Sequence, residues 1–231
     1  TDTFYSVDGD GRDGDARDPG DRMKKGECPV NPGEEPYPPY DLDSSWHGTH
    51  VAGTIAAVTN NRIGVAGVAY DAKVVPVRVL GKCGGSLSDI ADGIVWAAGG
   101  SVAGVPANQN PAQVINMSLG GGGACDGIYQ DAIDFARSQG ATVVVAAGNS
   151  NRNAANFRPS SCDGVITVAA SNINAAKASY SNYGSVVDVT APGGEWRISN
   201  DPNGVLSTDN EGTHAPEAEA YFTQPGPPTA A

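Results

Sequence analysis

Ala141-Thr142-Val143-Val144-Val145-Ala146-Ala147-Gly148-Asn149 is the clearest strand in the chain. Three valines after a threonine favour the pleated conformation, and the Gly-Asn pair stops it. A strand apolar on both faces belongs in a parallel sheet covered on both sides. Working outward, residues 113–117, 164–169 and 186–189 read as further strands, as does the short apolar run 73–80. Helical patterns lie between them. Ser86 supplies an N-cap with Asp89 at the third position, and Ile90, Ile94, Val95 and Ala98 recur at helical spacing. Residues 127–138 place Ile128, Ala132, Ile133, Phe135 and Ala136 on one side of a second helix. Strands alternating with helices predict a three-layer α/β fold with a mostly parallel central sheet. No internal repeat interrupts it.

Upstream lies Ser45-Trp46-His47-Gly48-Thr49-His50-Val51-Ala52-Gly53-Thr54. The small residues from Val51 to Val58 predict a helix buried on nearly every face, since Gly and Ala let neighbours approach its backbone. His47 falls at its first turn, held in place with one ring edge open, which suits a general base. His50 reads as a structural residue. In open α/β sheets functional groups gather beyond the carboxyl ends of the strands. Three stretches end there: residues 116–121, residues 145–150, and residues 179–184 with 189–194. On the residues alone the first is a Gly-rich strand end, or an edge able to pair with an extended peptide. In the second, an Asn after Gly is a turn residue. The third reads as turn and strand structure.

His47-Gly48-Thr49-His50-Val51-Ala52-Gly53-Thr54 resembles the histidine motif of the subtilisin-like serine proteases, and Ala146-Ala147-Gly148-Asn149 resembles their oxyanion-hole motif. The resemblance runs from about residue 45 to 210. It implies that His47 acts as general base and then general acid, and that Asn149 donates to the oxyanion. It also implies that Ser118, Leu119 and Gly120 pair with a polypeptide substrate or peptide inhibitor. Ala146, Ala147 and Gly148 would leave room for a substrate side chain. The expected organisation is one incomplete subtilisin-like peptidase domain over residues 1–231, with residues 1–45 an acidic, Pro-rich loop region.

Composition narrows the setting. Thirty-one Gly and 16 Pro against 6% aromatics predict tight turns and close backbone packing. A net charge of −12 excludes a nucleic-acid binder, which needs clustered Lys and Arg. No apolar run reaches membrane-spanning length. No signal peptide is visible at Thr1, so a mature or truncated secreted, extracellular chain is expected, and a monomer. Cys28, Cys83, Cys125 and Cys162 lack C-x-x-C spacing, and their even number fits two disulfides in an oxidising compartment. Three pairings are open on spacing. The resemblance favours Cys28–Cys83 with Cys125–Cys162.

Asp8, Asp10, Asp13, Asp15, Asp18 and Asp21 crowd six carboxylates into fourteen residues, without the spacing of an EF-hand. A hard cation with six to eight oxygen ligands relieves their repulsion. Structural calcium is expected at Asp10, Asp13 and Asp18 with Asp15, and the alternative is a solvated acidic loop. The remaining triad motifs are not intact. Asp2 precedes His47 by a plausible distance, but Phe4 stands where the family has Gly. Aligning Gly226 with the nucleophile motif puts Pro228 at the serine position, with the hydroxyl of Thr229 one place late. Ser199 and Ser207 lie outside any strand-to-helix turn. Both ends therefore read as truncated or altered. The competing expectations are an active serine endopeptidase, a non-catalytic peptide-binding relative, and a calcium-binding secreted protein.

Overall fold

A computed structural model describes residues 3–9, 11–12, 14–195, 203–210 and 212–216. Among the described residues the chain divides into two compact units, with the division falling inside a helix: those within 3–90, 103–106 and 207–216 in one, and those within 91–102 and 107–206 in the other.

The first unit is loop-rich, as its Gly, Pro and Asp content dictates. It holds the single turn α1 (Thr3–Ser6), α2 (His47–Ala56) and the start of α3 (Leu87–Ala97). Isolated antiparallel bridges join Met23 to Leu42 and Cys28 to Tyr37. The Cys28–Cys83 disulfide crosses the unit, with Cα atoms 5.6 Å apart. Beside it, Lys82 Nζ donates to Glu27 at 2.6 Å, so the residues preceding the two cysteines form one charged pair. α3 starts as expected: the Asp89 N–H donates to Ser86 Oγ at 3.1 Å, and Ser86 Oγ donates to Asp89 at 2.8 Å. Arg12 adds a hydrogen bond to Asp89 from Nε at 3.0 Å.

The second unit carries a parallel sheet in the order β1-β3-β5-β6, formed by Val114–Met117, Thr142–Ala146, Ile166–Ser171 and Val189–Pro192. The register sets Val144 beside Asn116 on one flank and Ile166 on the other. A two-stranded antiparallel ribbon pairs β2 (Gly121–Gly122) with β4 (Phe157–Arg158). α4 (Gly127–Ser138) packs on β3. Its buried residues are Tyr129, Ala132, Ile133 and Ala136, one stripe at i, i+3, i+4 and i+7. Ile133 and Val143 are fully buried, each stabilising the fold by roughly 1.5–3 kcal/mol relative to exposure. Asp126 caps α4 by accepting from the Tyr129 N–H at 3.1 Å and takes Arg158 Nη1 at 3.0 Å. The Cys125–Cys162 disulfide follows, with Cα atoms 4.9 Å apart. Both disulfides match the pairing that the resemblance implied.

Four local expectations fail. Residues 73–80 form no strand, because Pro76 removes a ladder donor and no described strand lies alongside. The last strand begins at Val189, since the Val187 N–H closes a turn on the Gly184 carbonyl at 3.2 Å. In α4 the core position is Tyr129, and Ile128 is 53% exposed, one residue off the buried stripe. α2 buries only Gly53, where Ser207 and Thr208 lie against it. No described helix is long and apolar enough to cross a membrane.

Candidate functional site

In the second unit, β1, β3, β5 and β6 run parallel, so their carboxyl ends share one edge. A cleft of about 500 Å³ opens there and along one sheet face. Ser118 from the end of β1 lines it, as do Ala146, Ala147, Gly148 and Asn149 from the end of β3. Leu119 and Gly120 follow Ser118 outside this lining and lead into β2. Asn149 is exposed, and its carboxamide has no hydrogen-bond partner among the described residues. The backbone around it is fixed: the Ala147 N–H donates to Val168 O at 2.9 Å and the Asn151 N–H to Tyr180 O at 2.8 Å.

The opposite wall comes from residues 179–184 and 189–194, which the sequence placed at the strand ends but read as turn and strand structure. Tyr180 lines the cleft and its hydroxyl donates to the carbonyls of Gly193 at 2.9 Å and Gly194 at 3.2 Å. Burial, helped by the nearby Glu195 charge, pushes the Tyr180 hydroxyl above its ordinary pKa. It therefore remains a donor. Glu195 is 6% exposed and accepts from the Ser179 N–H at 3.0 Å and Asn172 Nδ2 at 3.1 Å. Asn116 reaches Ser118 Oγ at 3.0 Å on the cleft's other side. The Tyr180 and Glu195 contacts join residues 13 to 23 positions apart, beyond any periodic signal.

In the first unit, His47 opens α2. Trp46 before it is 4% exposed, adopts a left-handed backbone and donates from Nε1 to Gly212 O at 2.6 Å. Asp21 accepts from both the N–H and hydroxyl of Ser45, at 2.6 and 2.7 Å. These anchors orient the helix start, while the His47 side chain stays exposed with no described hydrogen-bond partner. His50 is half-buried, and its carbonyl accepts from Ser207 Oγ at 2.6 Å. Ser207 is thus a buried structural hydroxyl. Asp2, Ser199, Gly226, Pro228 and Thr229 lie outside the described residues.

The acidic loop belongs to the same unit. Asp15 accepts from Arg17 Nε at 2.8 Å. Asp18 accepts from the Gly20 N–H at 2.9 Å and lies 3.5 Å from Arg78 Nε. Arg78 Nη1 also donates to Ser6 O at 2.8 Å and sits 3.4 Å from Asp8. Asp10 and Asp13 lie outside the described residues, and the described ones contain no metal-ready cluster of three. The carboxylate chemistry fits a hard cation, which would have to displace Arg17 from Asp15.

Comparison with known proteins agrees with this arrangement. The chain is 56% identical to an extracellular protease of Xanthomonas campestris pv. campestris, over 98% of this chain and 36% of that protein. It is 50% identical to an extracellular basic protease of Dichelobacter nodosus, over 97% of this chain and 35% of that one. The chain thus spans about a third of the length of these relatives. A solved structure of a protease from Pseudoalteromonas arctica superposes with a TM-score of 0.88 at 60% identity, covering 94% of this chain and 61% of that one. The sheet is that of a three-layer α/β fold of subtilisin type. The Subtilase family model matches residues 21–226, a span that takes in both the histidine helix and the loop after β3, and the chain belongs to that family.

Proposed function

We propose that this chain is part of a secreted serine endopeptidase that hydrolyses peptide bonds by a Ser-His-Asp mechanism with an asparagine oxyanion donor. The observation that carries the reading is Asn149: an exposed carboxamide, unbonded among the described residues, on a fixed backbone beside a cleft at the carboxyl ends of a parallel sheet. The names of the two extracellular relatives and the two disulfides support secretion.

His47 accepts the proton of the attacking hydroxyl at an imidazole nitrogen, then returns it to the leaving amine. The charge that develops on the carbonyl oxygen meets Asn149 Nδ2, a donor that bonds more strongly to the transition state than to the ground state. Ser118, Leu119 and Gly120 offer backbone groups to an extended polypeptide, and Ala146, Ala147 and Gly148 leave space for its side chain. The aligning carboxylate and the nucleophile are assigned to no described residue. A structural calcium held by Asp10, Asp13, Asp15 and Asp18 completes the proposal. It would neutralise carboxylates and takes no part in the chemistry.

A fluorophosphonate probe tests the reading on the purified protein. Covalent labelling that disappears in His47→Ala is the expected result, and absence of labelling in the unsubstituted protein overturns it. In Asn149→Ala, kcat should fall about 10²- to 10³-fold with KM little changed, a magnitude carried over from subtilisin.

A further inference from the structure

We propose that Asn182 is a positioning residue that holds Asn149 in place, an inference resting on the oxyanion role proposed above. Asn182 is fully buried. Its Nδ2 donates to Ala147 O at 2.8 Å, and its Oδ1 accepts from the N–H groups of Ser150 and Arg152, both at 3.0 Å. Its own backbone N–H donates to Gly148 O at 2.8 Å. Two residues before Asn149 and two of the three after it are therefore gripped by one residue. Among the described residues none bonds the Asn149 side chain.

This pattern requires a carboxamide. One end must accept from two N–H groups while the other donates to a carbonyl. A carboxylate would set lone pairs against Ala147 O, and a hydroxyl is too short to span the loop. The orientation of the amide follows from its partners, since the flipped form would oppose NH₂ to two N–H donors. The bond to Ala147 O is buried, so its loss leaves an unsatisfied carbonyl, while the bonds from Ser150 and Arg152 are part-buried and their loss opens those N–H groups to water. Gly148 adopts φ +103°, and a Cβ there would collide with Asn182 Nδ2. The Asn182 amide thus packs where any side chain at position 148 would stand.

An oxyanion donor works only if it already stands where charge will develop, and small misplacements cost rate. The clamp fixes the backbone on both sides of Asn149 without occupying its amide. Loosening it should lower kcat and leave KM nearly unchanged, because the donor acts chiefly in the transition state.

A double-substitution cycle on the full chain tests this. Asn182→Ala should lower kcat about 10-fold or more in the unsubstituted background, with KM within about 3-fold. On top of Asn149→Ala the same change should cost less than about 2-fold, because the group it positions is already gone. Unaltered kcat in Asn149→Ala overturns the oxyanion reading itself. A normal loss there, with equal Asn182→Ala factors in both backgrounds, overturns the proposal and leaves that reading standing. Amide hydrogen exchange supplies a readout independent of turnover. The Ser150 and Arg152 N–H groups should exchange at least about 10-fold faster in Asn182→Ala, and unchanged rates overturn the clamp. Should Asn182→Ala fail to fold, Asn182→Asp keeps both acceptor contacts and replaces the bond to Ala147 O by the lone-pair repulsion described above. It should retain protection at Ser150 and Arg152 while still losing kcat, and loss of that protection counts against the proposal.

Discussion

Thr208 lies against Gly53 so closely that a Cβ on the glycine would meet its hydroxyl oxygen and, at 2.8 Å, its backbone nitrogen. The same threonine donates to Thr49 O at 2.8 Å, and Ser207 donates to His50 O, so this short segment is stapled along α2. In an open helix, Gly→Ala gains roughly 0.5–1 kcal/mol from reduced chain entropy. Here overpacking opposes that gain. Gly53→Ala should destabilise the protein by about 1–3 kcal/mol in denaturant titration. A net stabilisation would show that the staple does not form.

Asp89 makes stability depend on acid pH. Burial pushes its carboxyl up, but hydrogen bonds from Arg12 and Ser86, with the Arg12 charge, outweigh that and hold it below the ordinary aspartate value. A depressed folded pKa means that the contribution is fully present above the unfolded value, about 4, and is lost as pH falls through the folded one. The pair is partly exposed, with side-chain accessibilities of 28% and 20%, so its worth is about 1 kcal/mol or less. Asp89→Asn should therefore be less stable than the unsubstituted protein at pH 7, and the gap should close as pH falls below the unfolded value and through the lowered folded one. A gap that persists at low pH would assign the effect to lost shape rather than charge.

The two disulfides join cysteines 55 and 37 residues apart. Loop-closure entropy grows only logarithmically, so each bridge is expected to contribute about 4 kcal/mol despite the difference in span. Replacing Cys125 and Cys162 together by serine should lower the unfolding free energy by about 2–4 kcal/mol, and the Cys28–Cys83 pair should do the same. Chemical denaturation of the two double variants checks this. A bridge whose loss costs under about 0.5 kcal/mol would mark a loop already restrained when unfolded.

The elements legible in the chain were those whose signal is local. β3 was readable from its valines, the start of α3 from Ser86 and Asp89, and the small-residue helix from the run after His47. Residues 73–80 misled because an apolar run without an adjacent strand is not a strand. Ile128 misled because a one-residue offset turns a helix by 100°, moving it off the face that Tyr129 buries. The site divided in the same way. Asn149 stood out only through resemblance, since locally it is a turn residue. Asn182 was invisible, because its partners lie 30 to 35 positions away and nothing in residues 179–184 announces them.

The calcium proposed for the acidic loop would meet a built-in competitor. The Arg17 side chain and backbone N–H both bond to Asp15 and hold its carboxyl below the ordinary value. That pair is exposed, at 80% and 51%, and exposed ion pairs are weak. A divalent cation gathering Asp10, Asp13 and Asp18 should therefore take Asp15 from Arg17. Ligand that binds only the folded state raises stability by mass action, so calcium added to chelated protein should raise Tm progressively with concentration, while magnesium should do less. Arg17→Met removes the competitor and should tighten calcium binding about 2- to 5-fold by isothermal titration. Unchanged affinity in Arg17→Met would remove Asp15 from the ligand set, and a Tm indifferent to calcium would leave the loop held by its arginines alone.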